Sequence, residues 1–275
     1  MVTIDVEIAH DRSLSDQEGA LWRLLSELAD FPATWFCTAD AAEKFAEPLA
    51  ALARCGHTIG CHGLDHAADE DYRKLSEHAQ ERRLTSATER ISCAIGTRPK
   101  VFRGPRMTTS VTTQKILRKL RYKADFSACS RRMDLFTASC FDWRWSTTGP
   151  DPCRLLLGSV TGDPNYESDE LLVVPLSGLG LPLCSGTLYL LGERNARRLV
   201  DAIRRTSSQA PIVYLYHSYE FCSVVRSCDR RPIHHRLYPT DPELRYQLNK
   251  KFLGYLETIC ETAYSADTFL EWFDD

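Results

Sequence analysis

Two histidines four residues apart, in Cys61-His62-Gly63-Leu64-Asp65-His66, meet on one side of a helical turn and can grip a single divalent ion. A carboxylate from elsewhere in the chain would complete a set of two histidines and one carboxylate and leave positions open for water and substrate. Asp5 and Glu7 offer that carboxylate, because they flank Val6 at the end of an apolar run, where the period-2 alternation of a strand turns both to one face. Taken singly, the histidine pair reads as surface or core histidines, and an acidic strand end reads as a cap. Taken together, they read as a metal site with a base beside it. Phe102-Arg103-Gly104-Pro105-Arg106 and Leu215-Tyr216-His217-Ser218 place an arginine and a histidine at two further strand ends, where each alone would pass as a salt-bridged or capping residue. The ensemble holds what amide hydrolysis requires: a metal to polarise the carbonyl, a base for water, an acid for the departing amine and a cation to orient the base.

Positioning these residues falls to an alternation of short apolar runs and longer segments of helical period, which predicts an α/β protein with a mainly parallel sheet. Strands are expected at Val2–Val6, Ala33–Phe36, His57–Gly60, Val101–Arg103, Tyr122–Phe126 and Ile212–Tyr216. Between them, Ser15-Asp16-Gln17-Glu18 and Asp40-Ala41-Ala42-Glu43 read as capping boxes opening helices, the second of which Gly56 ends. Further helices are expected over about Tyr72–Ile95, residues 111–120, Asn195–Arg205 and Pro242–Thr262. Residues 128–193 are richer in Pro, Gly and Ser and read as excursions and loops. In such a fold, function gathers where strands end and loops begin, which is where the polar residues above lie.

The chain has 275 residues, enough for one large domain, and no repeat or linker divides it, so 1–275 reads as a single catalytic domain. Lys+Arg 34 against Asp+Glu 37 leaves a net charge of −3, which excludes a strongly basic nucleic-acid binder and a disordered acidic chain. No apolar run is long enough to span a membrane, and Met1 leads directly into Val2-Thr3-Ile4 without a basic, apolar leader. The eleven cysteines are odd in number and never spaced C-x-x-C, so they read as small core residues in a reducing compartment. The expectation is a cytoplasmic protein.

The order and form of these motifs resemble the polysaccharide deacetylase family, the NodB-homology domain of carbohydrate esterase family 4. Thr3-Ile4-Asp5-Val6-Glu7 is similar to its Thr-Phe-Asp-Asp-Gly motif, and Pro32-Ala33-Thr34-Trp35-Phe36 to its Lys-Ala-Thr-Phe-Phe strand. Gly56-His57-Thr58-Ile59-Gly60-Cys61-His62-Gly63-Leu64-Asp65-His66 follows Gly-His-Glu-Ile-Gly-x-His-x-x-x-His, the most specific of the set. Phe102-Arg103-Gly104-Pro105 and Leu215-Tyr216-His217 complete the likeness. The resemblance implies a distorted (β/α) barrel, a divalent metal on His62 and His66, Asp5 as general base beside Arg103, His217 as general acid, and the Arg106 N–H as an oxyanion donor.

Val6 stands where the family's usual second metal-binding aspartate would be, and a branch that reads Asp-Val-Glu implies Glu7 as the third ligand, with Asp5 the alternative. Arg106 and Met107 replace the usual Tyr and Gly, implying an altered substrate rim. For the fourth motif, either Asp125, or Asp142 with Trp143, fills the place of the family's Asp and Trp. Leu181–Thr187 resembles a stretch that borders the substrate groove in the Asp-Val-Glu branch, and otherwise reads as a loop.

The reading that follows is a metal-dependent N-deacetylase of an amino sugar, with Zn2+ as the metal and Co2+ or Ni2+ as substitutes. An intracellular, biosynthetic, nucleotide-linked or lipid-linked amino sugar would suit the absence of a leader. Its rivals are an amide hydrolase of the same fold acting on a ureide or cyclic imide, and a catalytically silent binding protein.

Overall fold

The computed structural model describes residues 1–133, 145–156, 170–207, 210–224 and 237–274. In chain order the first half runs β1 (Val2–Val6), α1 (Leu14–Glu27), β2 (Ala33–Cys37), α2 (Ala39–Lys44), α3 (Ala46–Arg54), β3 (Thr58–Cys61), α4 (Glu77–Ile95), β4 (Val101–Phe102), α5 (Val111–Lys119) and β5 (Ala124–Asp125). The second half runs β6 (Cys153–Leu156), β7 (Glu170–Val173), β8 (Gly178–Leu179), β9 (Leu181–Pro182), α6 (Ser185–Leu191), α7 (Glu193–Thr206), β10 (Tyr214–His217), α8 (Pro242–Ile259) and α9 (Ala266–Asp274).

Eight strands form one sheet in the order β10-β1-β2-β3-β4-β5-β7-β6, parallel except for β6, which runs antiparallel to β7 at the edge. The sheet curls into a distorted (β/α) barrel. Its seam is irregular: after β7 the chain crosses to β10, where Val213 N–H donates to the Ser177 hydroxyl at 2.9 Å and Cys184 bridges Leu215. Alternation along the strands separates two apolar layers. Ile4, Val6, Trp35, Cys37 and Ile59 face the helices, whereas Phe36, Phe126, Leu172, Val213 and Leu215 pack inside the barrel. Asp5 shares the inward parity of Thr3, and the parallel register that aligns Asp5 with Phe36 and with His217 brings the C-terminal strand ends to one rim. Helix α9, not expected from the sequence, stops the opposite end: its first N–H groups, of Ala266 and Asp267, donate to the hydroxyls of Thr34 and Thr58.

Several expected boundaries shift for local reasons. Helix α1 is capped by Ser13, whose hydroxyl accepts from Asp16 N–H, and not by Ser15; Gln17 bonds the backbone of Ala9 in both directions and so fixes the turn that starts the helix earlier. Thr38, not Asp40, caps α2. A single helix from there would place Pro48 against the Lys44 carbonyl without an N–H to offer, and the chain breaks at Phe45 into α2 and α3. Ser76 caps α4, so Tyr72 lies in the preceding loop. The stretch expected to be irregular contributes strands β6 and β7 to the sheet and the helix α6, and Leu181–Thr187 divides between β9 and the start of α6.

Nine cysteines among the described residues are free thiols; Cys37, Cys61, Cys129 and Cys222 are buried as expected, but Cys55, Cys93 and Cys153 are exposed. No helix among the described residues is long and apolar enough to cross a membrane.

Candidate active site

Asp5 sits at the last inward position of β1, 3% exposed, and its Oδ1 accepts a 2.8 Å hydrogen bond from Arg103 Nη1. Arg103, fully buried after β4, also donates to the Thr3 hydroxyl at 3.0 Å and lies 4.3 Å over the Phe36 ring. Burial favours the protonated carboxyl of Asp5, but Arg103, with His62 and His217 behind it, more than offsets this and holds the pKa below the ordinary carboxylate value. The oxygen that Arg103 leaves free, Oδ2, stands 3.7 Å from His62 Nε2. The buried Asp5–Arg103 pair is intolerant of losing one member, since the other is left as an uncompensated charge, so Asp5→Asn is expected to lower stability as well as turnover.

His62 follows β3 directly and is 2% exposed. Its Nδ1 lies 2.8 Å from the Arg103 carbonyl, which can only accept, so the ring proton is assigned to Nδ1 and Nε2 keeps its lone pair. Burial, outweighing the pull of Asp5, lowers its pKa and keeps the ring neutral, the form that binds a metal. Four residues on, in a loop and not on the helical turn expected from the spacing, His66 Nε2 approaches Glu7 Oε2 at 3.1 Å, and the two imidazole centroids stand 5.4 Å apart. Ligand atoms of Glu7, His62 and His66 lie within 4.8 Å of one another, the one such acidic and histidine cluster found among the described residues. Two imidazoles and one carboxylate are a donor set suited to Zn2+, Co2+ or Ni2+. Glycine is obligatory in the adjoining turn, because a Cβ on Gly104 would fall 1.9 Å from the Thr108 carbonyl oxygen.

His217 ends β10, paired in register with Asp5. Its Nδ1 lies 3.0 Å from Glu220 Oε1, and that carboxylate, 9% exposed, also accepts from the hydroxyls of Ser185 and Tyr189. Burial disfavours the imidazolium, yet the hydrogen bond and charge of Glu220, with Glu7 and Asp5 farther off, raise the His217 pKa to about 9. Glu220 was not singled out in the sequence. Its one signal is its place three residues after His217, which the short 3-10 turn Ser218–Phe221 converts into contact.

The structure brings together Asp5, Glu7, His62, His66 and Arg103, with His217 at the end of the adjoining strand. Asp125 stands apart from them: fully buried, it accepts from the Thr109 hydroxyl, from Gln114 and from both the N–H and hydroxyl of Ser127. Burial raises its pKa against those hydrogen bonds. Ser127 in turn accepts from Gly104 N–H, so Asp125 braces the turn after Arg103. The Arg106 guanidinium does not face a substrate rim; it donates to the carbonyls of Ala67 and Glu70 in the loop between the β3 strand and α4. Arg106 itself has left-handed φ of 53° in the turn that follows Pro105. Trp143 and Asp142 lie outside the described residues.

The polysaccharide deacetylase family profile matches residues 9–124, a span that holds His62, His66, Arg103 and Arg106. The match covers less than half of the chain and marks a likeness to that family. A peptidoglycan deacetylase of Helicobacter pylori is 30% identical over 118 residues, covering 42% of this chain and 39% of that protein, so the chain spans well under half the length of this curated relative. Among solved structures, a chain assigned as a polysaccharide deacetylase from Mycobacterium smegmatis aligns over 98% of this chain and 88% of its own, at 16% identity and a TM-score of 0.63. An allantoinase aligns over 96% and 86%, at 15% identity and a TM-score of 0.55. These two likenesses concern the fold alone. Asp5 and Glu7 precede the profile match and His217 follows it, so their part in the site rests on the geometry above.

Proposed function

We propose that the chain is a divalent-metal hydrolase that removes an acetyl or similarly small acyl group from the nitrogen of an amino sugar. The observation that carries this reading is the convergence of Glu7, His62 and His66 beside an Asp5 already oriented by Arg103. Glu7, His62 and His66 would hold the ion, most simply Zn2+. When bound, it would polarise the amide carbonyl and make water more acidic.

Everything else falls to side chains of the protein. Arg103 fixes Asp5 through Oδ1 and leaves Oδ2 free to take the proton of the attacking water. The low pKa of Asp5 keeps that oxygen charged at neutral pH. Glu220 holds His217 through Nδ1, which leaves the proton on Nε2 for the departing amine. The N–H of Arg106, on the turn after Pro105, supplies an oxyanion donor in this scheme. The amino-sugar assignment draws on the likeness to the polysaccharide deacetylase profile over residues 9–124 and to the peptidoglycan deacetylase relative. The free thiols support a reducing, cytoplasmic setting and thus a soluble or lipid-linked intermediate as substrate.

Acetate release tests this directly. Zn2+-loaded protein is expected to liberate acetate from N-acetylated amino sugars, to lose that activity on treatment with a chelator and to regain it with the metal. Turnover confined to ureides or cyclic imides would replace the substrate class, and the absence of any turnover by metal-loaded protein would replace catalysis by binding.

A further inference from the structure

Between the two histidine ligands the chain passes through conformations that are disfavoured in isolation. Gly63 has φ of +83°, and His66 itself sits at φ 58°, in the left-handed region that a residue with a Cβ avoids. Two groups outside the metal set hold this loop. Glu70, fully buried, receives four hydrogen bonds: Leu64 N–H at 2.7 Å and Tyr72 O–H at 2.8 Å on Oε1, and Asp65 N–H at 3.1 Å and His66 N–H at 2.9 Å on Oε2. Both oxygens are thereby committed, which makes Glu70 a support and not a ligand. The Arg106 guanidinium donates to the carbonyls of Ala67 at 2.8 Å and Glu70 at 3.0 Å, with longer contacts to those of His66 and Ala68. Peptide N–H groups of the loop thus point to an anion, and its carbonyls to a cation.

We propose that Glu70 and Arg106 form a clamp that holds the His66 loop in ligating geometry, with Glu70 the positioning residue on which metal affinity depends. This rests on the metal reading of Glu7, His62 and His66. The same arrangement assigns Arg106 a structural charge where a substrate contact was expected. Glutamine cannot replace Glu70 without loss. Its NH2 must occupy one of the two oxygen positions, where it meets either Leu64 N–H or the N–H groups of both Asp65 and His66, donor against donor.

The test measures metal affinity by chelator competition, the visible spectrum of the Co2+ form, and the melting temperature of the metal-free protein. Wild type is expected to bind one ion, and Glu70→Gln to bind it about 10–100-fold more weakly, as is usual when a group supporting a ligand is lost, with an altered Co2+ spectrum. Arg106→Met, a milder change at a half-buried site, is expected to weaken binding in the same direction and serves if Glu70→Gln does not fold. Unchanged affinity and an unchanged Co2+ spectrum in a folded Glu70→Gln protein, or in Arg106→Met if that is the variant that folds, would overturn the clamp while leaving the metal site standing. A wild-type protein that binds no ion would remove the metal reading itself, and the clamp with it.

Discussion

Replacing Asp5 with asparagine is expected to lower turnover by about 10²–10⁴-fold, the usual worth of a general base, while the divalent ion stays bound. The amide preserves the size of the carboxylate and can still accept from Arg103 Nη1, but it has no charge with which to take a proton from water. Glu7→Ala separates the neighbouring role, because it removes the carboxylate that lies 3.1 Å from His66 Nε2 and is expected to release the ion instead. Turnover and metal content measured on both variants distinguish base from ligand. Near wild-type turnover in Asp5→Asn, or full metal retention in Glu7→Ala with loss in Asp5→Asn, would exchange or cancel the two assignments.

His217→Ala is expected to cripple hydrolysis of an amide far more than that of an activated aryl ester. An amine leaves only when protonated, whereas a phenolate leaves unaided, so loss of an acid is felt by one substrate and scarcely by the other. The pH profile carries the same information with a definite sign. His217 must be protonated to act, and its pKa, raised to about 9, sets a basic limb above which activity falls. A bound dication nearby would draw that limb down. Glu220→Gln removes the anion that holds the proton, so its basic limb is expected at lower pH than wild type under the same metal loading. Equal losses on amide and ester with His217→Ala, accompanied by a lower melting temperature, would make His217 a structural residue of the β10 strand end.

The strand ends were legible in the sequence because parallel strands place their C-terminal residues on one rim, and the inward parity of Asp5 follows from alternation alone. His62 and His66 stood out by their spacing, although the helical turn that the spacing implied is a loop with left-handed Gly63 and His66 in the structure. Glu70 and Glu220 did not, since each is an ordinary acidic residue in a loop until the backbone folds it under a histidine. Strand β7 was readable in principle from the apolar run Leu171-Leu172-Val173-Val174, but the surrounding Pro, Gly and Ser obscured it. Arg106 reads in the sequence as part of a substrate rim because it stands where the resembled family has Tyr after Pro105. The carbonyl-rich loop beside it, visible only in three dimensions, gives that charge an inward target. Helix α9 escaped notice because its role as a stopper depends on Thr34 and Thr58, which are far away in sequence.

The central claim is that Glu7, His62 and His66 bind one catalytic ion, and elemental analysis after Zn2+ loading and dialysis tests it most directly. About one ion per chain is expected in the wild type, and none in His66→Ala, because two remaining ligands hold a divalent ion poorly. Full metal retention by His66→Ala, or none by the wild type, would contradict the account.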